Sequence, residues 1–265
     1  FKKKNFTSIK IIGMGGSILG IKAIYNFLSR KVKKKIYFFD NLIPFTKDKK
    51  NLKKILNIVI SKSGNTLETI SNVNLLIKKD HNNIFIIEKN QSYLRQLANK
   101  MKAEIIDHNN FIGGRYSVLS EVGMLPASLV GLNEKKFKQF NNLIRNKNFI
   151  NSLISNVSNI LFFVKKKKFN SIIINYDENS DDFFRWYQQL VAESLGKKQK
   201  GIYPFISTMP KDNHSLMQLY LDGPKKNFFT FFSVRTKLTN KIFNNSILPP
   251  CDFLKDKKFD QILVA

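Results

Sequence analysis

The chemistry-bearing residues of this chain fall in five short stretches. Ser61, Ser63, Thr66 and Thr69 surround Lys62 and Gly64, after an apolar segment and before a helical one. Hydroxyls gathered at a helix start, with the free amides of its first turn, form a cradle for a phosphate dianion. An ordinary N-cap needs only one hydroxyl, so the set exceeds that plainer purpose. Gly113-Gly114-Arg115-Tyr116-Ser117 places a fixed positive charge behind two glycines, an arrangement suited to a developing oxyanion. A surface arginine beside a turn is the plainer alternative. Gln189 and Glu193, four residues apart, share one helix face, and Glu193 follows an apolar stretch where burial would raise its pKa toward that of a useful base. His214 comes 21 residues later at a helix start, as an acid–base candidate or a structural histidine. Gly13-Met14-Gly15-Gly16-Ser17 is a turn that brings main-chain amides close to a ligand. Ile18 stands where the dinucleotide-binding fingerprint has its third glycine, so that fingerprint is absent.

These groups need a scaffold, and the apolar pattern supplies one. Strands are expected at 8–13, 35–39, 55–60, 83–87 and 104–106, alternating with helices at 17–30, 66–78 and 92–102. A continuous helical stretch is expected from 134 to about 160, then a strand at 171–174, helices at 181–195 and 212–222, and a strand at 228–234. Strand and helix in turn predict an α/β fold of two doubly wound units with mostly parallel sheets and helices on both faces, 1–133 and 134–265. No Pro/Ser-rich linker separates them, so they are expected to pack tightly.

The formal charge of +26 invites a nucleic-acid partner. The composition argues against one. There are 39 Lys but only 6 Arg, and Lys, Asn, Ile and Phe make up nearly half the chain, the mark of an A/T-rich gene. Arginine, which reads guanine and grips phosphate with two donors, is scarce. The expectation is a solvated basic surface that attracts small anions. The single Cys251 excludes a disulfide framework, and His81, His108 and His214 lie too far apart for metal-ligand spacing, so neither metal nor cofactor is expected. No apolar run reaches the ~18 residues of a membrane span. Residues 1–4 begin no signal peptide, and Phe1 in place of Met reads as a fragment. A cytoplasmic protein is expected.

The five stretches, taken together and in order, resemble the phosphoglucose isomerase (glucose-6-phosphate isomerase) family: the Gly-rich turn, Ser61-Lys62-Ser63-x-x-Thr66-x-Glu68-Thr69, Gly113-Gly114-Arg115-Tyr116-Ser117-x-x-Ser120-x-x-Gly123, Glu193-Ser194-x-Gly196-Lys197 and His214-Ser215-x-x-Gln218-Leu219. The resemblance runs from about Ile9 to Val234 and resumes at Phe259-Asp260-Gln261. It implies a pair of sugar-isomerase (SIS) domains and interconversion of glucose 6-phosphate and fructose 6-phosphate through a cis-enediol, in glycolysis and gluconeogenesis. It also implies roles. Glu193 is the base between C2 and C1, His214 assists ring opening, and Arg115 stabilises the enediolate. Ser61, Lys62, Ser63, Thr66 and Thr69 hold the phosphate, while Gly16, Ser17 and Gln189 touch substrate. A homodimer follows, with His214 reaching into the partner's site. The family's further active-site lysine would fall seven residues past Gln261, beyond Ala265. An SIS module that binds sugar phosphates without turning them over is the competing reading.

Overall fold

A computed structural model describes residues 6–42, 54–234, 247–258 and 261–262. Five strands, β1 (Ser8–Ile12), β2 (Lys35–Phe39), β3 (Ile55–Ile60), β4 (Asn82–Glu88) and β5 (Glu104–His108), form a parallel sheet in the order β2-β1-β3-β4-β5. Both faces are apolar because the strands are covered on both sides. Ile9, Ile11, Ile58, Ile60, Ile84 and Ile86 pack against Ile21 of α1 (Leu19–Phe27) and Val122 and Ala127 of α4 (Glu121–Leu129). The alternate residues Ile12, Val59, Phe85 and Ile87 meet Val73 and Leu76 of α2 (Leu67–Leu76) and Leu94 and Ala98 of α3 (Tyr93–Lys100). Period-two alternation thus feeds two cores, and each fully buried Ile or Phe contributes about 1.5–3 kcal/mol.

A second parallel sheet has the order β7-β6-β8, from β6 (Asn170–Asn175), β7 (Tyr203–Thr208) and β8 (Asn227–Phe232). The chain reaches it through α5 (Glu134–Phe137), α6 (Asn141–Ile144) and α7 (Lys147–Lys165). The expected continuous helix from 134 is therefore broken. Asn146 starts a new one by accepting from the Phe149 amide at 3.2 Å, a local side-chain cap that competes with helix propagation. α8 (Asp181–Leu195) follows β6, and α9 (Met217–Asp222) follows a 3-10 turn at Lys211–Asn213, so the helix expected at 212–222 is shorter.

Two elements escape the apolar pattern. α4 has no counterpart among the helices expected from the sequence, where the residues up to Gly123 read as a loop. Pro126 is buried inside the helix, and a Cβ at Gly123 would come within 2.1 Å of the Val118 carbonyl oxygen. β7 contains Pro204 and sits at the edge of its sheet, where a missing amide is tolerated.

β1 lies between β2 and β3, so the chain reverses direction of travel across the sheet there. The turn at 13–17 and the loop at 61–66 leave the carboxyl ends of these neighbouring strands. In open α/β sheets ligands bind in the crevice at this reversal. α8 packs on α1 and brings its C-terminal half to the same edge. Lys22 reaches Asp182 at 3.7 Å, and the Phe27 and Phe183 rings lie 6.2 Å apart. Among the described residues no helix is long and apolar enough to cross a membrane.

Candidate active site

Backbone fit sets the first part of the site. The 3-10 turn Gly15–Ser17 lies on a second one, Gly114–Leu119. A Cβ on Gly16 would stand 2.3 Å from the carbonyl carbon and oxygen of Gly114 and 2.7 Å from the Arg115 amide. Ser117 Oγ locks the contact, donating within reach of both Gly114 O (2.7 Å) and Gly16 O (3.1 Å). Gly15 has φ +52°, a left-handed turn that glycine adopts freely. Ser17 is half-buried beside it.

α8 is then laid over this joint. Its helical repeat brings Trp186, Gln189, Glu193 and Ser194 to one face. Trp186 Nε1 donates to the Arg115 carbonyl at 3.2 Å. Arg115 Nη1 reaches Glu193 Oε2 at 3.2 Å, and its Nε donates to Ser194 Oγ at 3.0 Å. Gln189 Nε2 donates to the other Glu193 oxygen at 2.7 Å. The Arg115 guanidinium lies 4.7 Å from the Tyr116 ring centre, and the Tyr116 hydroxyl meets Ser194 Oγ at 3.0 Å. Interaction with Tyr116, and then with Glu193, holds the guanidinium above its usual pKa. The Tyr116 hydroxyl is pushed below its usual value, first by the Ser194 hydrogen bond and then by Arg115. Arg115 and Glu193, remote in sequence, thus meet each other beside Gln189. The burial expected around Glu193 is not found: its side chain is 47% exposed, because it lies at the free end of α8, and two polar neighbours fix its carboxylate instead.

The hydroxyl loop follows β3. Ser61 is buried, with its Oγ 3.2 Å from both the Gly64 amide and Thr66 Oγ1. Exposed Ser63 accepts from the Asn65 amide at 3.2 Å. Thr66 precedes α2 without making a side-chain cap bond, which leaves that role to another group. Thr69 Oγ1, in the first turn of α2, is enclosed and has no hydrogen-bond partner among the described residues. Lys62 does not reach into the cradle. Its Nζ is held by Glu88 Oε1 at 3.3 Å and the Asn110 carbonyl at 2.9 Å, tying the loops after β3 and β5 to the end of β4. The loop is also moored to α3: the Leu94 amide donates to Gly64 O at 3.0 Å and the Tyr93 amide to Asn65 Oδ1 at 2.9 Å. Gly64 has φ +67°, and a Cβ there would strike Ser92 Oγ at 2.1 Å.

His214 stands apart. It is exposed at the end of the 211–213 turn, and no hydrogen bond or ion pair among the described residues joins it to Arg115 or Glu193. Its turn is anchored by Asp212, whose Oδ2 accepts from the Thr208 amide at 2.8 Å. Phe259 and Asp260 lie outside the described residues. No group of three or more His, Cys, Asp or Glu side chains among the described residues is placed to hold a metal ion. Residue types alone did not expose Ser194, Tyr116, Trp186 or Asn65 as site residues. The only sequence signal of Ser194, Tyr116 and Asn65 is adjacency to Glu193, Arg115 and Thr66 in the motifs, and Trp186 lies outside them, three residues before Gln189.

Known proteins share this arrangement of elements. The solved structure of a hypothetical protein from Thermus thermophilus superposes with a TM-score of 0.82 at 23% identity, covering 97% of this chain and 67% of that one. A glucose-6-phosphate isomerase from Chlamydia trachomatis gives 0.72 at 21% identity, covering 98% of this chain and 54% of that one. In sequence, the glucose-6-phosphate isomerase of Methanocaldococcus jannaschii is 37% identical over 242 residues, 85% of this chain and 60% of the relative. That of Mycoplasma genitalium is 34% identical over 99% of this chain and 65% of the relative. The chain spans about three fifths of the length of the first of these curated relatives. The family model described as phosphoglucose isomerase matches residues 1–208, and with it the chain belongs to the phosphoglucose isomerase family.

Proposed function

We propose that this chain carries the base, the oxyanion-stabilising charge and the phosphate cradle of an isomerase that interconverts glucose 6-phosphate and fructose 6-phosphate. One observation carries the reading: a carboxylate, Glu193, and a guanidinium, Arg115, meet at 3.2 Å at the same carboxyl edge of the sheet as a hydroxyl loop and an uncapped helix start. The phosphate of the sugar is assigned to the hydroxyls of Ser61, Ser63, Thr66 and Thr69 and the first amides of α2. There the helix dipole and free N–H groups favour a dianion. Lys62 acts on this site as a brace between loops. Gly16, Ser17 and Gln189 line the carbon chain.

The chemistry follows from the open-chain sugar. Glu193 takes the proton from C2 of the aldose. The C–H electron pair forms the C1–C2 double bond, and the carbonyl pair moves to O1, which Arg115 stabilises before it is protonated. Loss of the O2 proton then re-forms a carbonyl at C2, while Glu193 returns its proton to C1. Gln189 and Arg115 keep the carboxylate aimed throughout. A placed carboxylate contributes typically about 10²–10⁴-fold, and a preorganised oxyanion contact about 10²–10³-fold. Ring opening is assigned to His214 of a second subunit, since His214 lies away from its own Glu193 and a two-fold homodimer is the commonest assembly. We place the protein in the cytoplasm, and divide it into two SIS-type units near residue 133, each built on one sheet.

Fructose 6-phosphate formation by the protein and by Glu193→Gln tests the reading. The variant is expected to bind substrate and to lose about 10²–10⁴-fold in kcat. Equal rates would remove Glu193 from its role, and tight binding without turnover by the unaltered protein would favour a sugar-phosphate binding module.

A further inference from the structure

We propose that Ser194 and Tyr116 are positioning residues that fix the Arg115 guanidinium beside Glu193, through Nε and through its flat face, so that the donors not used in these contacts stay aimed at the substrate. An arginine beside a carboxylate ordinarily prefers two parallel N–H···O bonds. That geometry would turn both oxygens of the base toward the cation and tie up two of its five donors. The contact here is single, Nη1 to Oε2 at 3.2 Å. Each of the two groups has one further polar neighbour. Gln189 takes Oε1, and Ser194 takes Nε at 3.0 Å.

Ser194 can do this because it follows Glu193 on α8, so one turn of helix fixes the base and the brace together. Arginine donates only, so Ser194 Oγ is the acceptor in that bond. It makes a second hydrogen bond with the Tyr116 hydroxyl at 3.0 Å. The Tyr116 ring in turn lies 4.7 Å from the guanidinium carbon, where a cation is attracted to the ring face. Two successive residues of the 3-10 turn and two of α8 therefore close a loop of contacts around the guanidinium. With Nε and one Nη1 hydrogen engaged, the other donors of the fork stay open to an oxyanion. Tyr116 is 55% exposed, so its contribution is orientation at the surface rather than burial.

The kinetic consequence rests on the isomerase reading; the geometric claim does not, and the test separates them. The first measurement is the Arg115 Nε–H signal of the unliganded protein by nitrogen-15 NMR, with Ser194→Ala, Ser194→Thr and Tyr116→Phe. A slowly exchanging Nε–H is expected in the unaltered protein and in Ser194→Thr, which keeps the hydroxyl. Exchange is expected to be fast in Ser194→Ala and intermediate in Tyr116→Phe. The second measurement is steady-state isomerisation. Ser194→Ala is expected to lose about 10²-fold in kcat, the usual cost of a misplaced group, with KM for fructose 6-phosphate within about twofold, and Ser194→Thr to recover most of the loss. Unchanged Nε–H exchange in Ser194→Ala, an unaltered kcat, or a threonine variant as impaired as the alanine one would each overturn the proposal. Protected Nε–H in a protein that turns over no sugar phosphate would overturn the isomerase assignment and leave the positioning claim standing.

Discussion

Arg115 is shared by three neighbours, each taking a different part of the guanidinium. Lysine would keep the charge but present a single ammonium, with no Nε for Ser194 and no planar face for Tyr116. Arg115→Lys is therefore expected to lower kcat about 10²–10³-fold, as for loss of an oxyanion contact, while the protein keeps its thermal midpoint. An equal loss of folding stability would mark the arginine as structural. The phenol beside it gives a second test. Tyr116 is displaced below its usual value of 10.0, because its phenolate is stabilised by the Ser194 hydrogen bond and the Arg115 charge. The protein minus Tyr116→Phe absorbance difference should show this phenolate appearing at lower pH than an ordinary tyrosine, and Ser194→Ala should move it back up. At this scale the sequence was informative where side-chain chemistry is self-evident. Arg115 behind two glycines, and Gln189 with Glu193 on one helix face, are legible from type and spacing. Ser194 and Trp186 were not, because a serine and a tryptophan gain their roles only when α8 is laid across the 114–119 turn.

Elements carry the next level of the argument. The joint between the turns at 15–17 and 114–119 works only with hydrogen at position 16, since any Cβ would meet the Gly114 carbonyl at 2.3 Å. Gly16→Ala should force the turns apart, costing about 1–3 kcal/mol as overpacking does, and lowering turnover because Arg115 rides on the second turn. Thermal unfolding and the isomerase assay read both effects, and a variant with native stability and rate would contradict the fit. The five strands of the first sheet were readable since they are apolar runs bounded by turns, and their doubly covered faces explain why the runs are continuous. α4 and β7 were hidden by Gly123, Pro126 and Pro204, breakers that burial and an edge position make tolerable. The break before Lys147 is not legible because it arises from Asn146 capping, a local bond that leaves no change in apolar content, and the structure gives no side-chain cause for the one at 138–140. Burial of Glu193 was misjudged for a related reason: an apolar stretch before a helix end says nothing about whether another element covers that end.

For the molecule as a whole, the charge of +26 has a consequence for the dianionic substrate proposed. A positive field raises the encounter rate of small anions and is screened once the Debye length falls to about 10 Å. kcat/KM is expected to fall as salt is raised through that range while kcat holds, and a salt-independent kcat/KM would confine the charge to composition. Charge was the most conspicuous feature of the sequence and the least informative about function, because lysines on a solvated surface carry no geometry. The proposed function rests on the loops after β1, β3 and β5 acting together with one end of α8. That joint action is tested most directly by following solvent deuterium into the sugar. In heavy water the protein should convert glucose 6-phosphate to fructose 6-phosphate with deuterium appearing at C1, as a base that exchanges its proton with solvent between C2 and C1 requires. Glu193→Gln should lower that incorporation about 10²–10⁴-fold. Incorporation at the same rate in both proteins would contradict the account.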